Sequence, residues 1–335
     1  MSNNTDLIKG SKDIKDNVTP RNKITPVTFD PSARAQLMLQ KKKLHRRRKF
    51  AEGALFTGYL TPSLLGVFVF FFLPLLMLLK TSFQKSSTNT DFTGFTNYER
   101  VLTNDAFKSA SLNTLHFSAI AVPLAVVIAL LLALLLNSGM PGKSVFRSIL
   151  LNPMMVPVAS VVLIWQVFFS YNGVMNGWGF AHLFGEDKID WLKSDHAQLV
   201  ILILFLWKNL GYNMVLFLAA LSNIPGEILE AAVMDGAGAF TRFFKIKMHY
   251  LSPTIFFVAL MSLVNSFKIF REVYLLTGDY PYDPLYMLQH FMNNQFHKLD
   301  YSKLSAGAII MCIVMVVIVG GLFYAEGRVD KDVEE

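Results

Sequence analysis

The chain is poor in the residues that do chemistry in water. Its 335 residues include a single cysteine, Cys312, and only 16% are Asp, Glu, Lys or Arg. One cysteine excludes an intrachain disulfide framework and a cysteine-based metal site. Lying in an apolar run, Cys312 reads as a small packing residue. The seven histidines show no ligand spacing. The nearest pair, His290 and His297, has no spacing that fixes two ligands of one metal on a helix face, so both read as surface residues and no metal is expected. A phosphate-binding loop is missing too. Gly142-Lys143-Ser144 has the right ending, but Asn137 stands where the first glycine belongs, Pro141 interrupts the loop and no strand precedes it. ATP is therefore not expected on this chain.

What the chain has in excess is apolar side chains: 53% are hydrophobic, with 29 Phe. Several runs reach the ~20 residues that a helix needs to cross a bilayer. They predict six spans, at about Tyr59–Leu79, Leu115–Leu136, Ser148–Phe169, Gln198–Leu221, Pro253–Ile269 and Ala306–Phe323. Pro74 falls inside the first, and Pro153 and Pro157 break the regularity of the third. The fold class is an all-α integral membrane protein.

Charge sets the expected orientation. Residues 1–50 hold 13 of the 31 Lys and Arg but only 4 of the 24 Asp and Glu, so the net charge of +7 lies in the tail. The first part of this tail, to about Pro31, reads as disordered, and Ala33–Ala51 as a basic helix ending in Lys41–Lys49. Beside a membrane span such a run favours the cytoplasmic face and anionic headgroups over nucleic acid. The apolar run that follows starts too late and is too long for a cleaved signal peptide. This predicts a cytoplasmic tail over residues 1–57, a six-helix transmembrane domain over 58–325 and a cytoplasmic C-terminal tail over 326–335. The loop carrying Lys143 and the loop 223–253, with Arg242, Lys245 and Lys247, then share the cytoplasmic side.

The loop 223–253 organises the rest. Asn223 is placed to cap a short helix with Pro225 and Glu227 in its first turn. Leu229, Ala232, Val233 and Gly236 share one face of that helix, and Gly236 and Gly238 allow the chain to turn. Phe240, Phe243 and Phe244 make a second helix bulky on one side. Glu230-Ala231-Ala232, three residues, Gly236, nine residues and Ile246 resemble the EAA loop of binding-protein-dependent ABC importer permeases. Asp235-Gly236-Ala237, Phe244, Leu251-Ser252-Pro253 and the distant Leu275-Leu276-Thr277-Gly278 are similar to the carbohydrate, or maltose-type, branch. The resemblance implies the type I ABC importer permease fold in the cell membrane of a prokaryote. It implies a coupling helix in which Glu230, Ala231, Ala232, Asp235, Gly236 and Ile246 meet a cytoplasmic ATPase. It also implies the partners: a second permease subunit, two ATPase subunits that hold ATP and Mg, and an extracellular substrate-binding protein that delivers a sugar. Where the family usually has Leu-Pro, this chain has Met248-His249, so its second coupling helix is expected to run smoothly into the fifth span.

Polar residues inside spans are costly and mark a cavity or a helix contact. Asn209, Tyr212 and Asn213 in the fourth span, with Asn265 and Lys268 in the fifth, are candidates for a sugar pathway. Asn and Tyr suit a sugar because they offer donors, acceptors and an aromatic face. The alternative is that the Asn residues tie helices together, and that Lys208 snorkels or pairs with a carbonyl or a partner subunit. Two other functions compete with import. A self-contained secondary transporter or channel usually carries Asp, Glu or His inside its spans, and the six runs contain only His116 near one end. A membrane-embedded enzyme would need a carboxylate pair, an activated nucleophile or metal ligands in the spans. The chain is therefore expected to be a transport subunit and not an enzyme.

Overall fold

The computed structural model describes residues 57–86, 89–138 and 140–334. The expected disordered tail and basic helix lie outside the described residues. The chain divides into two units at Phe72 and Leu73. In the first, the described residues from Thr57 are helical and end in a π-turn, Phe68–Phe72, with no buried side chain.

The second unit is built from helices, and its described residues contain one isolated β-bridge, Gln84 to Phe92. In chain order they are α1 (Leu73–Ser82), α2 (Thr96–Leu102), α3 (Asp105–Asn137), α4 (Lys143–Met155), α5 (Val158–Phe169), α6 (Ala197–Ser222), α7 (Gly226–Met234), α8 (Met248–Phe267), α9 (Phe270–Thr277), α10 (Leu288–His297) and α11 (Tyr301–Glu334). Among the described residues six helices are long and apolar enough to cross a membrane: Thr57–Ser82, Asp105–Asn137, Val158–Gly177, Ala197–Ser222, Ala239–Thr277 and Tyr301–Arg328.

Each local break has a cause in the sequence. The expected third span, Ser148–Phe169, is not one helix: α4 and α5 separate at Val156 and Pro157, because proline removes a donor and disfavours helix in the residue before it, and the membrane-length helix starts only at Val158. Asn104 caps α3 by accepting from the Phe107 N–H at 3.1 Å. The segment before α3 is ordered by Asn97, whose Nδ2 donates to the Ser82 and Gln84 carbonyls at 2.9 and 2.7 Å.

Packing in the bundle depends on small residues. Ala121, Ala125, Ala129 and Ala133 recur every fourth residue on α3 and are fully buried against α6 and its neighbours. Lipid tails are as apolar as leucine, so helices in a bilayer associate by close fit, and alanine lets backbones approach. Gly211 makes the closest approach. A Cβ there would lie 1.9 Å from the Leu150 carbonyl oxygen on α4. Cys312 departs from expectation: it is exposed on α11 and packs in no core.

Candidate coupling surface and translocation seam

The loop that joins the fourth and fifth spans starts differently from expectation. Asn223 sits at the C-terminal end of α6, and Pro225 occupies the N-terminal cap of α7 without a side-chain hydrogen bond. The helix is short because Gly236 ends it. At φ 77° this glycine takes the left-handed conformation. The Ala237 N–H then reaches the Ala232 carbonyl at 2.9 Å, and the Gly236 N–H reaches Val233 at 3.0 Å.

The turn decides which side chains are presented. Leu229 packs against the core near Leu221 and Ile224, and Ala232 is half-buried. The face proposed from the spacing is therefore split. Leu229 and Ala232 turn inward, while Glu230, Ala231, Val233, Met234, Asp235 and Gly236 face out. Met234 is 87% exposed and Phe240 81%. Phe240 stacks on Phe244 with ring centroids 6.4 Å apart, and Phe243 meets Phe244 edge-on at 4.9 Å. The result is a projecting apolar ridge beside two acidic side chains.

Beyond the ridge, the chain does not break. Ala239–Thr241 leads into a π-helical stretch, Arg242–Lys247, and on into α8, as the Met248-His249 pair predicts. Ile246 is half-buried in this π-stretch, and the Arg242 Nε is buried with no hydrogen-bond partner among the described residues. The helix Ala239–Thr277 spans 39 residues. A turn at Lys268–Ile269 separates α8 from α9 within it, and its length exceeds the ~20 residues that a helix needs to cross a bilayer, so part of it lies beyond the hydrocarbon core.

Between α6 and the α8–α9 pair runs a seam of polar pairs. Lys208 forms an ion pair with Glu272. Asn265 Nδ2 donates to Asn209 Oδ1 at 2.9 Å, and Asn209 Nδ2 donates to the Phe205 carbonyl at 2.8 Å. Asn213, fully buried, donates to Ser262 Oγ at 2.9 Å. Ser266 reaches Ser118 on α3 at 2.8 Å. Three of the five residues singled out for a sugar pathway, Asn209, Asn213 and Asn265, are thus brought together as ties between helices. Tyr212 is half-buried nearby and joins neither pair; Lys268 ends α8 and is exposed.

Glu272 is the residue the sequence reading missed. With a fifth span expected to end at Ile269, Glu272 falls in a loop; instead, after the turn at Lys268–Ile269, α9 runs to Thr277 and buries it. The inference that no acidic residue lies in the spans is corrected accordingly. The signal was Lys208 itself, since a lysine inside a span calls for a counter-charge.

Residues 121–331 match the family model described as binding-protein-dependent transport system inner membrane component. The chain belongs to this family. It is 29% identical over 295 residues to the trehalose/maltose transport system permease protein MalF of Thermococcus litoralis, covering 86% of this chain and 99% of that one. It is also 29% identical to the lactose transport system permease protein LacF of Rhizobium radiobacter, covering 80% and 92%, and to the sn-glycerol-3-phosphate transport system permease protein UgpA of Rhizobium meliloti, covering 80% and 93%. In fold it resembles the crystal structure of a bacterial ABC transporter involved in the import of the acidic polysaccharide alginate. The TM-score is 0.72 at 20% identity, covering 85% of this chain and 99% of that chain.

The permease is thus a multi-pass membrane protein with the fold of ABC importer permeases. At the end of its spans opposite the ridge, two loops are held firmly. Asn176 donates to the Tyr171 and Ile189 carbonyls at 2.8 and 2.7 Å. Its Oδ1 accepts from the Ile189 N–H at 3.2 Å and the Trp191 indole at 2.9 Å. In the second loop His290 is not the surface residue expected. It is fully buried between Phe270 and Tyr286, and its Nδ1 accepts the Met287 N–H at 3.2 Å. Burial pushes the imidazole down to about 4, against a smaller opposing pull from the Asp279 carboxylate. His297 is exposed, as expected.

Proposed function

We propose that this permease is one of two membrane subunits of an ATP-driven importer for a sugar or oligosaccharide. An extracellular substrate-binding protein delivers the substrate, and two ATPase subunits, which hold ATP and Mg, drive alternating access. The observation that carries this reading is the projecting loop. Glu230, Ala231, Asp235 and Gly236 stand on the free side of α7 next to the Met234, Phe240 and Phe244 ridge. Exposed apolar clusters with a charged rim fit a protein partner. Ala232 and Ile246 support the surface from behind. This loop is cytoplasmic, together with both chain ends, in keeping with the basic residues around it.

The substrate passes beside the α6 and α8–α9 seam. There Asn209, Asn213 and Asn265 offer donors and acceptors once the helices part, Tyr212 adds a ring and Lys268 lies toward the outer end. The sugar class is supported by the relatives named for trehalose, maltose and lactose.

Gentle solubilisation, capture of this chain and identification of what accompanies it test the proposal. Wild type should bring down an ATPase and a second six-span chain. Gly236→Pro should lose the ATPase, because proline cannot adopt a φ of 77°. A chain that purifies alone and carries solute without ATP would refute the importer reading.

A further inference from the structure

The opposite end of the bundle holds a cleft of about 630 Å³, with walls from the loop after α5 and the loop after α9. Its volume lies within the roughly 300–1,000 Å³ of small-ligand sites. The walls are preformed. Asn176 fixes Ile189 and Trp191, on either side of Asp190. Asn113 Nδ2 donates to the Asp283 and Tyr286 carbonyls at 2.6 and 3.1 Å, and Gln198 donates to the Pro284 carbonyl at 2.8 Å. Tyr282 donates to Asp195 Oδ1 at 3.2 Å and so fastens one wall to the other.

The lining has a definite chemistry. Tyr171, Tyr280 and Tyr282 supply rings, Asp190 and Asp283 carboxylates, Lys193 one cation, and Ser170 and Thr277 hydroxyls. Tyr280 is 69% exposed, so its ring is open to a ligand. The carbon–hydrogen face of a sugar lies on an aromatic ring, and its hydroxyls donate to carboxylates. Two carboxylates against one lysine disfavour an anionic ligand. The floor residues Leu276 and Thr277 lie one turn along α9 from Glu272, so the cleft sits just beyond the polar seam.

We propose that this cleft is a saccharide subsite at the outer mouth of the permease, which takes the end of a neutral oligosaccharide and rejects acidic glycans. The proposal rests on the importer reading above and names a site and a substrate class within it. A docking loop of the binding protein is the competing occupant; the exposed ring and the two carboxylates in the lining favour the sugar.

The test uses the whole transporter in nanodiscs, without its binding protein. Saturation-transfer NMR reads binding of trehalose, lactose, maltotriose and an alginate trisaccharide. ATP-driven uptake is measured in parallel with the binding protein present. At least one neutral sugar should bind, and the alginate trisaccharide should not. Tyr280→Ala and Asp283→Asn should each weaken binding of the neutral sugar about tenfold while basal ATP hydrolysis stays unchanged. Both side chains are exposed, so the variants should fold. Uptake that proceeds while no neutral sugar binds, or binding that is equal in wild type and both variants, overturns the subsite alone. So does a variant that loosens only the docking of sugar-free binding protein. Absence of uptake for every sugar overturns the importer reading, and the subsite with it.

Discussion

Lys208 on α6 and Glu272 on α9 form an ion pair inside the bundle, with side chains 19% and 6% exposed. The pair joins the fourth span to the outer end of the fifth, beside the Asn209–Asn265 hydrogen bond. Neither charge is free, so Glu272 does not offer the unpaired carboxyl on which ion-coupled transporters depend.

Removing one partner strands the other. Glu272→Gln or Lys208→Met alone should cost about 3–5 kcal/mol, whereas Lys208→Met with Glu272→Leu should recover most of it. Thermal unfolding in detergent reads the difference. Equal losses in the single and double variants would mean that the pair contributes nothing through its charges.

Gly211→Ala should separate α6 from α4, because its new carbon would overlap the Leu150 carbonyl. Overpacking of this kind costs about 1–3 kcal/mol. Gly226→Ala, which meets open space at the start of α7, should leave the melting temperature unchanged. Similar melting of both variants would contradict the close approach.

Acid should loosen the loop around His290. Its folded value lies near 4, below the ordinary 6.5, so the unfolded chain binds a proton first. Stability therefore falls as pH drops from about 6.5 to about 4 and changes no further from this group below that. His290→Leu should lose about 1 kcal/mol at neutral pH with the Met287 hydrogen bond, and flatten this stretch of the profile. Melting curves at stepped pH decide it; an unaltered slope would place the titrating group elsewhere.

Asn213 and Lys268 separate tying from transport. Asn213→Ala should cost stability, since it leaves Ser262 unpaired in the interior. Lys268→Ala should leave melting unchanged, as the side chain is exposed. A change in sugar uptake by Lys268→Ala would therefore report on the pathway itself.

Much of this was legible in the sequence. The six spans follow from apolar length, the α4–α5 break from Pro157, and the continuous helix after the coupling loop from Met248-His249. What was not legible depends on contacts between helices distant in sequence. Glu272 lies past the end of the apolar run, on α9, where the core packing of Val273 and Leu276 carries it to Lys208. His290 lies in a polar stretch, and it is buried because Phe270 and Tyr286 close over it. Asn223 has the side chain of an N-terminal cap, but α6 runs on to Ser222 and takes it as its own end. The alanine repeat on α3 was visible, yet it acquires meaning only once α6 lies against it.

The central claim is that α7 is the surface on which the ATPase docks, and Met234 is its most exposed large apolar side chain. With Cys312→Ser removing the only cysteine, Met234→Cys gives a single reactive thiol on that ridge. Cross-linking in membranes, paired with an impermeant maleimide on intact cells, reads its neighbour and its side together. The account predicts an adduct with the ATPase subunit and labelling only after permeabilisation. Labelling of intact cells, with no ATPase adduct, would contradict it.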